Sequence, residues 1–140
     1  MDHYELPPSL SIPHGDIDAE HQSLIDTLNT ALQMIRTVDS TSANNFYFYL
    51  ENLREGLKRH FQHEEQEMAA LGYPDLEQHK RSHLKCVQRL DDICDAVARR
   101  QRKIDKDLLD ELFDIIMDDA IRADSGFKSF LEGKDMRVHV

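Results

Sequence analysis

The sequence predicts an all-α protein, an antiparallel up-down-up-down four-helix bundle with an extended N-terminal arm and a short C-terminal helix. Three observations carry this prediction. Apolar residues recur at helical spacing in four long segments. Gly (5) and Pro (4) are scarce among the 140 residues, while helix formers abound. The segments are joined by short polar stretches, and short loops make successive helices antiparallel neighbours.

Residues 1–16 carry Pro7, Pro8, Pro13 and Gly15 and read as an arm laid on the surface. Asp16 is suited to cap the first helix, because its carboxylate can accept from a free backbone N–H. From Ile17 the stripe runs Ile17, Leu24, Ile25, Leu28, Leu32, Ile35, with His21 inside it. Val38 to Asn45 is rich in Ser, Thr and Asn and reads as a loop. The second stripe is Phe46, Leu50, Leu53, Leu57, Phe61, Met68, Leu71, and His60 and Glu64 continue it at 3–4 spacing. Gly72 then stands where a helix ends in a left-handed residue. Pro74 fits the first turn of the next helix, where no N–H is needed.

The third stripe is Leu76, Val87, Leu90, Ile93, Val97, with His79 and His83 filling its gap. Arg99, Arg100, Arg102 and Lys103 follow and read as a solvated helix C-terminus favoured by the dipole. The fourth helix starts near Asp105, with Leu108, Leu112, Ile115 and then Asp119 on one stripe. Ser125 and Gly126 interrupt the pattern, and Phe127, Phe130 and Leu131 close the chain in a short apolar helix. The expected units are an arm at 1–16, a bundle at 17–132 and a tail at 133–140.

Hydrophobic residues make up 40% and charged residues 31% of the chain, as in a soluble globular protein. The formal net charge of −10 argues against nucleic acid and against an anionic membrane surface as partners. Highly charged outer faces favour a monomer. Cys86 and Cys94, eight residues apart on one helix, lie about 12 Å apart, beyond the reach of a disulfide. They read as small core residues in a reducing compartment. No signal peptide or membrane span is visible, so a cytoplasmic protein is expected.

In such a bundle His21 and His79, near the starts of helices one and three, share a level with His60 and Glu64, late in helix two. Asp119 and Asp124, late in helix four, join them. Imidazole mixed with carboxylate suits iron, manganese or zinc, and seven ligands suffice for two ions. His60/Glu64 and His79/His83 are i,i+4 pairs, each aimed at one point. A buried carboxylate needs a cation, and no Lys or Arg lies in these stripes. The bland alternative is a buried hydrogen-bond network of imidazoles and carboxylates without metal.

Order and spacing resemble the hemerythrin family, specifically the single-domain bacterial hemerythrins. The matching stretches are Ile17-Asp18-Ala19-Glu20-His21-Gln22-Ser23-Leu24, His60-Phe61-Gln62-His63-Glu64-Glu65-Gln66-Glu67-Met68, and Tyr73-Pro74 leading to His79-Lys80-Arg81-Ser82-His83. The resemblance covers about Ile12 to Leu131. It implies two iron ions bridged by an oxo or hydroxo group and by Glu64 and Asp124. His21 and His60 would hold the iron with the open position, where dioxygen binds end-on. His79 and His83 would hold the other.

The family's last block is His-x-x-x-x-Asp, whereas this chain reads Asp119-Ala120-Ile121-Arg122-Ala123-Asp124. Asp119 thus stands where an imidazole completes the second iron. It could ligate directly, reach the metal through water, or mark a site that has decayed to one metal or none. Direct ligation is favoured, because Asp119 stays on the core stripe and can bind metal. His63 and Asp118 could stand in, but surface roles suit both better.

Ile115 and Phe127 stand where many relatives have Trp and Tyr, and Ala120 replaces a bulkier aliphatic. The smaller Ala120 and the missing Trp would widen the oxygen pocket and admit small anions. The implied function is dioxygen binding for storage, delivery or sensing. The added carboxylate charge favours the ferric state and hence autoxidation. The competing function is a di-iron redox enzyme acting on peroxide, dioxygen or nitric oxide.

Overall fold

The computed structural model describes residues 3–5, 7, 17–36 and 43–138, with the backbone alone at 18, 43–45, 122–125 and 134–138. The helices are α1 (Ile17–Arg36), α2 (Ala43–Ala70), α3 (Leu76–Ala98) and α4 (Lys106–Arg122). A π-helical segment, Ala123–Lys128, and α5 (Ser129–Val138) follow without a break. There is no strand among the described residues.

Each long helix packs on two others: α1 on α2 and α4, α3 on α2 and α4. The antiparallel sense follows from who meets whom. Leu28 and Ala31, late in α1, share a void with Phe46 and Leu50, early in α2, and with Leu109 and Leu112, early in α4. His21, early in α1, instead lies against His60, late in α2.

Local signals account for the helix ends. Gly72 takes the left-handed conformation, φ +71°, and the Tyr73 N–H returns to the Met68 carbonyl at 2.9 Å. That closes α2 with a glycine-terminated cap. Asp105 caps α4 by accepting from the Leu108 N–H at 3.0 Å. Asp16, read as the α1 cap, lies outside the described residues, as does most of the arm. The arm's described part is pinned by Tyr4. Its N–H donates to Asn29 Oδ1 (2.6 Å), and Asn29 Nδ2 donates back to its carbonyl (2.9 Å). Its hydroxyl donates to Asp110 (2.6 Å), and its ring stacks on Phe113.

The core is divided. A large apolar cluster includes Leu24, Leu28, Leu50, Leu57, Phe61, Cys86, Leu90, Ile115 and Ile116. A small one, at the far end, is built on Ile17, Met68, Tyr73 and Phe127. On every helix the histidines and carboxylates of the stripe fall between the two clusters. His21 lies between Ile17 and Leu24, Glu64 between Phe61 and Met68, and His83 between Tyr73 and Cys86. Asp119 lies between Ile116 and Phe127. The bundle thus carries one polar layer across an apolar interior.

The chain end differs from expectation. Ser125-Gly126 does not break the helix, which passes through π turns. Helix α5 runs to Val138. The last segment lacks an apolar stripe to reveal it, and a helix already nucleated propagates one bond per residue. The π turn coincides with a close approach. A Cβ on Gly126 would run into the Tyr73 hydroxyl, and Tyr73 is held by Phe127 and Phe130 at ring distances of 5.4 and 5.2 Å. Gly126→Ala should therefore cost about 1–3 kcal/mol by overpacking. In a Tyr73→Phe background the cost should shrink. Urea denaturation of the four proteins measures this, and equal penalties in both backgrounds would remove the contact as the cause.

Candidate metal centre

Six of the seven expected ligands meet in the polar layer: His21 from α1, His60 and Glu64 from α2, His79 and His83 from α3, and Asp119 from α4. All six are buried. Asp124 lies in the π-helical segment, and its side chain is outside the described ones.

Two overlapping quartets form, in each of which the donor atoms lie within 4.8 Å of one another. The first is His21, His60, Glu64 and Asp119; the second is His79, His83, Glu64 and Asp119. In the first, Asp119 Oδ2 lies 3.3 Å from His21 Nε2 and 3.1 Å from His60 Nε2. Glu64 Oε2 lies 3.2 Å from His60 Nε2 and 4.0 Å from His21 Nε2. In the second, Glu64 Oε1 lies 2.7 Å from His79 Nε2 and 2.9 Å from His83 Nε2. Asp119 Oδ1 lies 2.8 Å from His83 Nε2 and 3.5 Å from His79 Nε2. Asp119 was expected beside His79 and His83; its carboxylate lies between both imidazole pairs.

These residues fit a pair of metal ions. Nitrogen and oxygen donors held ~2.0–2.2 Å from one ion at right angles sit ~3 Å apart, close to most of the separations above. Among the described residues, every polar partner of Glu64 and Asp119 is an imidazole. Glu64 Oε2 is buried and accepts no hydrogen bond from the described residues. An oxygen left in that condition is costly unless a cation takes it.

The layer's electrostatics point the same way. Burial alone would raise Asp119, but hydrogen bonds from His21, His60, His79 and His83 hold it well below the usual carboxylate range. Burial also acts against Glu64, whose imidazole partners His60, His79 and His83 lower it. Burial opposes charge on His60 and His83, yet Asp119 and Glu64 push them up to about 11 and about 10. His79 is raised by the same two carboxylates against burial. The two carboxylates are anions that collect positive charge, as protons when no metal is bound.

A second ring of groups orients the imidazoles. His60 Nδ1 lies 3.0 Å from Glu20 Oε1, and His83 Nδ1 lies 2.7 Å from Glu65 Oε2. Each carboxylate can accept a hydrogen bond from Nδ1–H, which fixes the tautomer that leaves Nε2 free for metal. The Phe61 ring lies flat on His83, 4.0 Å between centroids. Among the described residues His21 Nδ1 has no such partner. Sequence reading assigned Glu20 and Glu65 no role. The available signal was that each directly adjoins a ligand, where the helix turns it toward a neighbouring imidazole rather than into the layer.

A family model for the Hemerythrin HHE cation binding domain matches residues 13–129. The chain belongs to this family. No curated protein and no solved structure gave a match. The hemerythrin HHE assignment agrees with the donors described, four imidazoles and two carboxylates in one layer. In this hemerythrin domain Ile115, Ala120 and Phe127, read as departures around an oxygen pocket, are all fully buried. His63 is exposed and hydrogen-bonds Glu20, and Asp118 is exposed and pairs with Arg89 at 3.9 Å. Cys86 and Cys94 are buried in the core and are not joined in a disulfide. Among the described residues no helix is long and apolar enough to cross a membrane.

Proposed function

We propose that the chain binds two iron ions in the polar layer and takes up dioxygen reversibly, for storage, delivery or sensing. The observation that carries the reading is the pair of overlapping quartets, each with two imidazoles and an oxygen from each of two shared carboxylates. Imidazole with carboxylate is a ligand mix suited to iron. His21 and His60 would hold one ion, His79 and His83 the other, and Glu64 both, with Asp119 as a further ligand. Asp124 is the remaining candidate ligand. Bound iron would supply electrons and open coordination positions for dioxygen. The chain itself aims His60 and His83 through Glu20 and Glu65 and seals the layer between two apolar clusters, which keeps water out. Dioxygen and small anions such as azide are the expected ligands, and the charge of −10 leaves nucleic acid an unfavourable partner.

The deciding experiment is to admit air to anaerobically reduced, iron-loaded protein while recording its optical spectrum. Two irons per chain and a charge-transfer band that reverses under vacuum support a dioxygen carrier or sensor. Direct passage to a stable oxidised spectrum, with turnover when reductant is supplied, would replace it by the reading as a redox enzyme. Asp119 favours fast oxidation, because it adds a negative charge where imidazole adds none. Asp119→His should therefore hold the reduced or oxygenated form longer. An unchanged or shorter lifetime would defeat the charge argument.

A further inference from the structure

We infer that Asp119 is a bridging ligand, a partner to Glu64, and that the two metal positions therefore receive equal protein donors. The inference rests on the two-iron reading above and concerns how this chain's own carboxylate is used. Replacing an imidazole by a carboxylate at the end of a helix stripe changes more than charge. Imidazole offers one coordinating nitrogen toward the layer, and so serves one ion. A carboxylate offers two oxygens on opposite sides of one carbon, and so can serve two.

The structure places those oxygens on opposite sides. Oδ2 is turned to the pair from α1 and α2, at 3.3 Å from His21 and 3.1 Å from His60. Oδ1 is turned to the pair from α3, at 2.8 Å from His83 and 3.5 Å from His79. A ligand serving the His79/His83 position alone would have no need to turn an oxygen to both His21 and His60. Glu64 divides its oxygens in the same way. Glu64 and Asp119 rise from different helices, so the two carboxylates enclose the space between the imidazole pairs. Each position then has two imidazoles and two carboxylate oxygens. A further bridge from Asp124 would serve both ions alike and preserve that equality. The substitution thus converts a three-and-two division of imidazoles into two and two, leaving both ions equally unsaturated.

The test uses full-length protein loaded anaerobically with ferrous iron-57, as wild type and as Asp119→Asn, which keeps the shape but bridges poorly. Metal content and Mössbauer spectra are the readouts. Wild type should hold two irons that give a single quadrupole doublet, since the ions are equivalent. In Asp119→Asn both ions should weaken together, by at least about tenfold each. Two irons with two distinct doublets in wild type would overturn the bridge while leaving the two-iron reading intact. So would loss of one ion alone from the variant. Fewer than two irons in wild type would overturn the two-iron reading itself. The wild-type spectrum decides the question even if the variant does not fold.

Discussion

Glu64→Gln should abolish metal binding at both positions and destabilise the metal-free protein. Glu64 is fully buried and faces all four imidazoles, at 2.7 Å from His79, 2.9 Å from His83, 3.2 Å from His60 and 4.0 Å from His21. Glutamine keeps the volume, removes the charge and leaves one oxygen, so it cannot serve two ions. Without metal, the loss falls on the imidazoles that Glu64 helps keep protonated. Removing one partner from a buried ion pair costs ~3–5 kcal/mol. The shared anion Asp119 and proton release from an imidazole should hold the cost toward the lower end. Metal analysis after loading gives the first number, and urea denaturation of the metal-free protein gives the second. Two tightly held ions in the variant would remove Glu64 from the centre.

Acidity should act in opposite directions on the metal-free and metal-loaded proteins. His60 and His83 are raised from 6.5 to about 11 and about 10 when no metal is bound. Their contribution to folding is complete below pH 6.5 and is lost as pH rises through 10 to 11. Asp119 and Glu64 are lowered from 3.8 and 4.5, so their contribution is complete above those values and is lost as pH falls through the depressed ones. The layer therefore supports the metal-free fold best between about pH 4.5 and 6.5.

Metal must displace the Nε2 protons of His60 and His83, so affinity should climb with pH. Two displaced protons correspond to about 100-fold per pH unit until the imidazoles titrate. Thermal midpoints at pH 6 to 9 should fall for the metal-free protein, while the gain from a fixed excess of metal widens. Indicator dye should register about two protons released per loaded chain at pH 8. A midpoint gain independent of pH, with no proton release, would contradict the protonated layer.

The helices were legible because each carries apolar residues at helical spacing, and the layer because polar residues stand in all four stripes at one level. His60/Glu64 and His79/His83 could be placed from i,i+4 spacing alone. The division of Asp119 between two imidazole pairs could not. Spacing fixes which face a residue shares, whereas the reach of a short carboxylate depends on how closely α4 approaches α2 and α3. Glu20 and Glu65 were hidden for a related reason: on a helix, neighbours of a ligand look like solvated acids until a facing imidazole is located. The π turn was hidden because Ser125-Gly126 reads as a break. The segment packs on Tyr73, a contact over 50 residues away in sequence.

The division of the apolar interior has a kinetic meaning. The small cluster of Ile17, Met68, Tyr73 and Phe127 touches the body of the protein across a charged layer rather than through continuous hydrocarbon. Cohesion across that layer depends on what fills it. With cations in place, four helices are tied together at one level; without them, the tie is a set of mobile protons. The end of the bundle is then the part free to open as a unit without global unfolding. Amide protons in this end should exchange sooner than those near Leu50 and Leu112, and the opening that exposes them is also a way out for the metal. How long the protein keeps its ions would then be set by the breathing of one end, not by coordination strength alone.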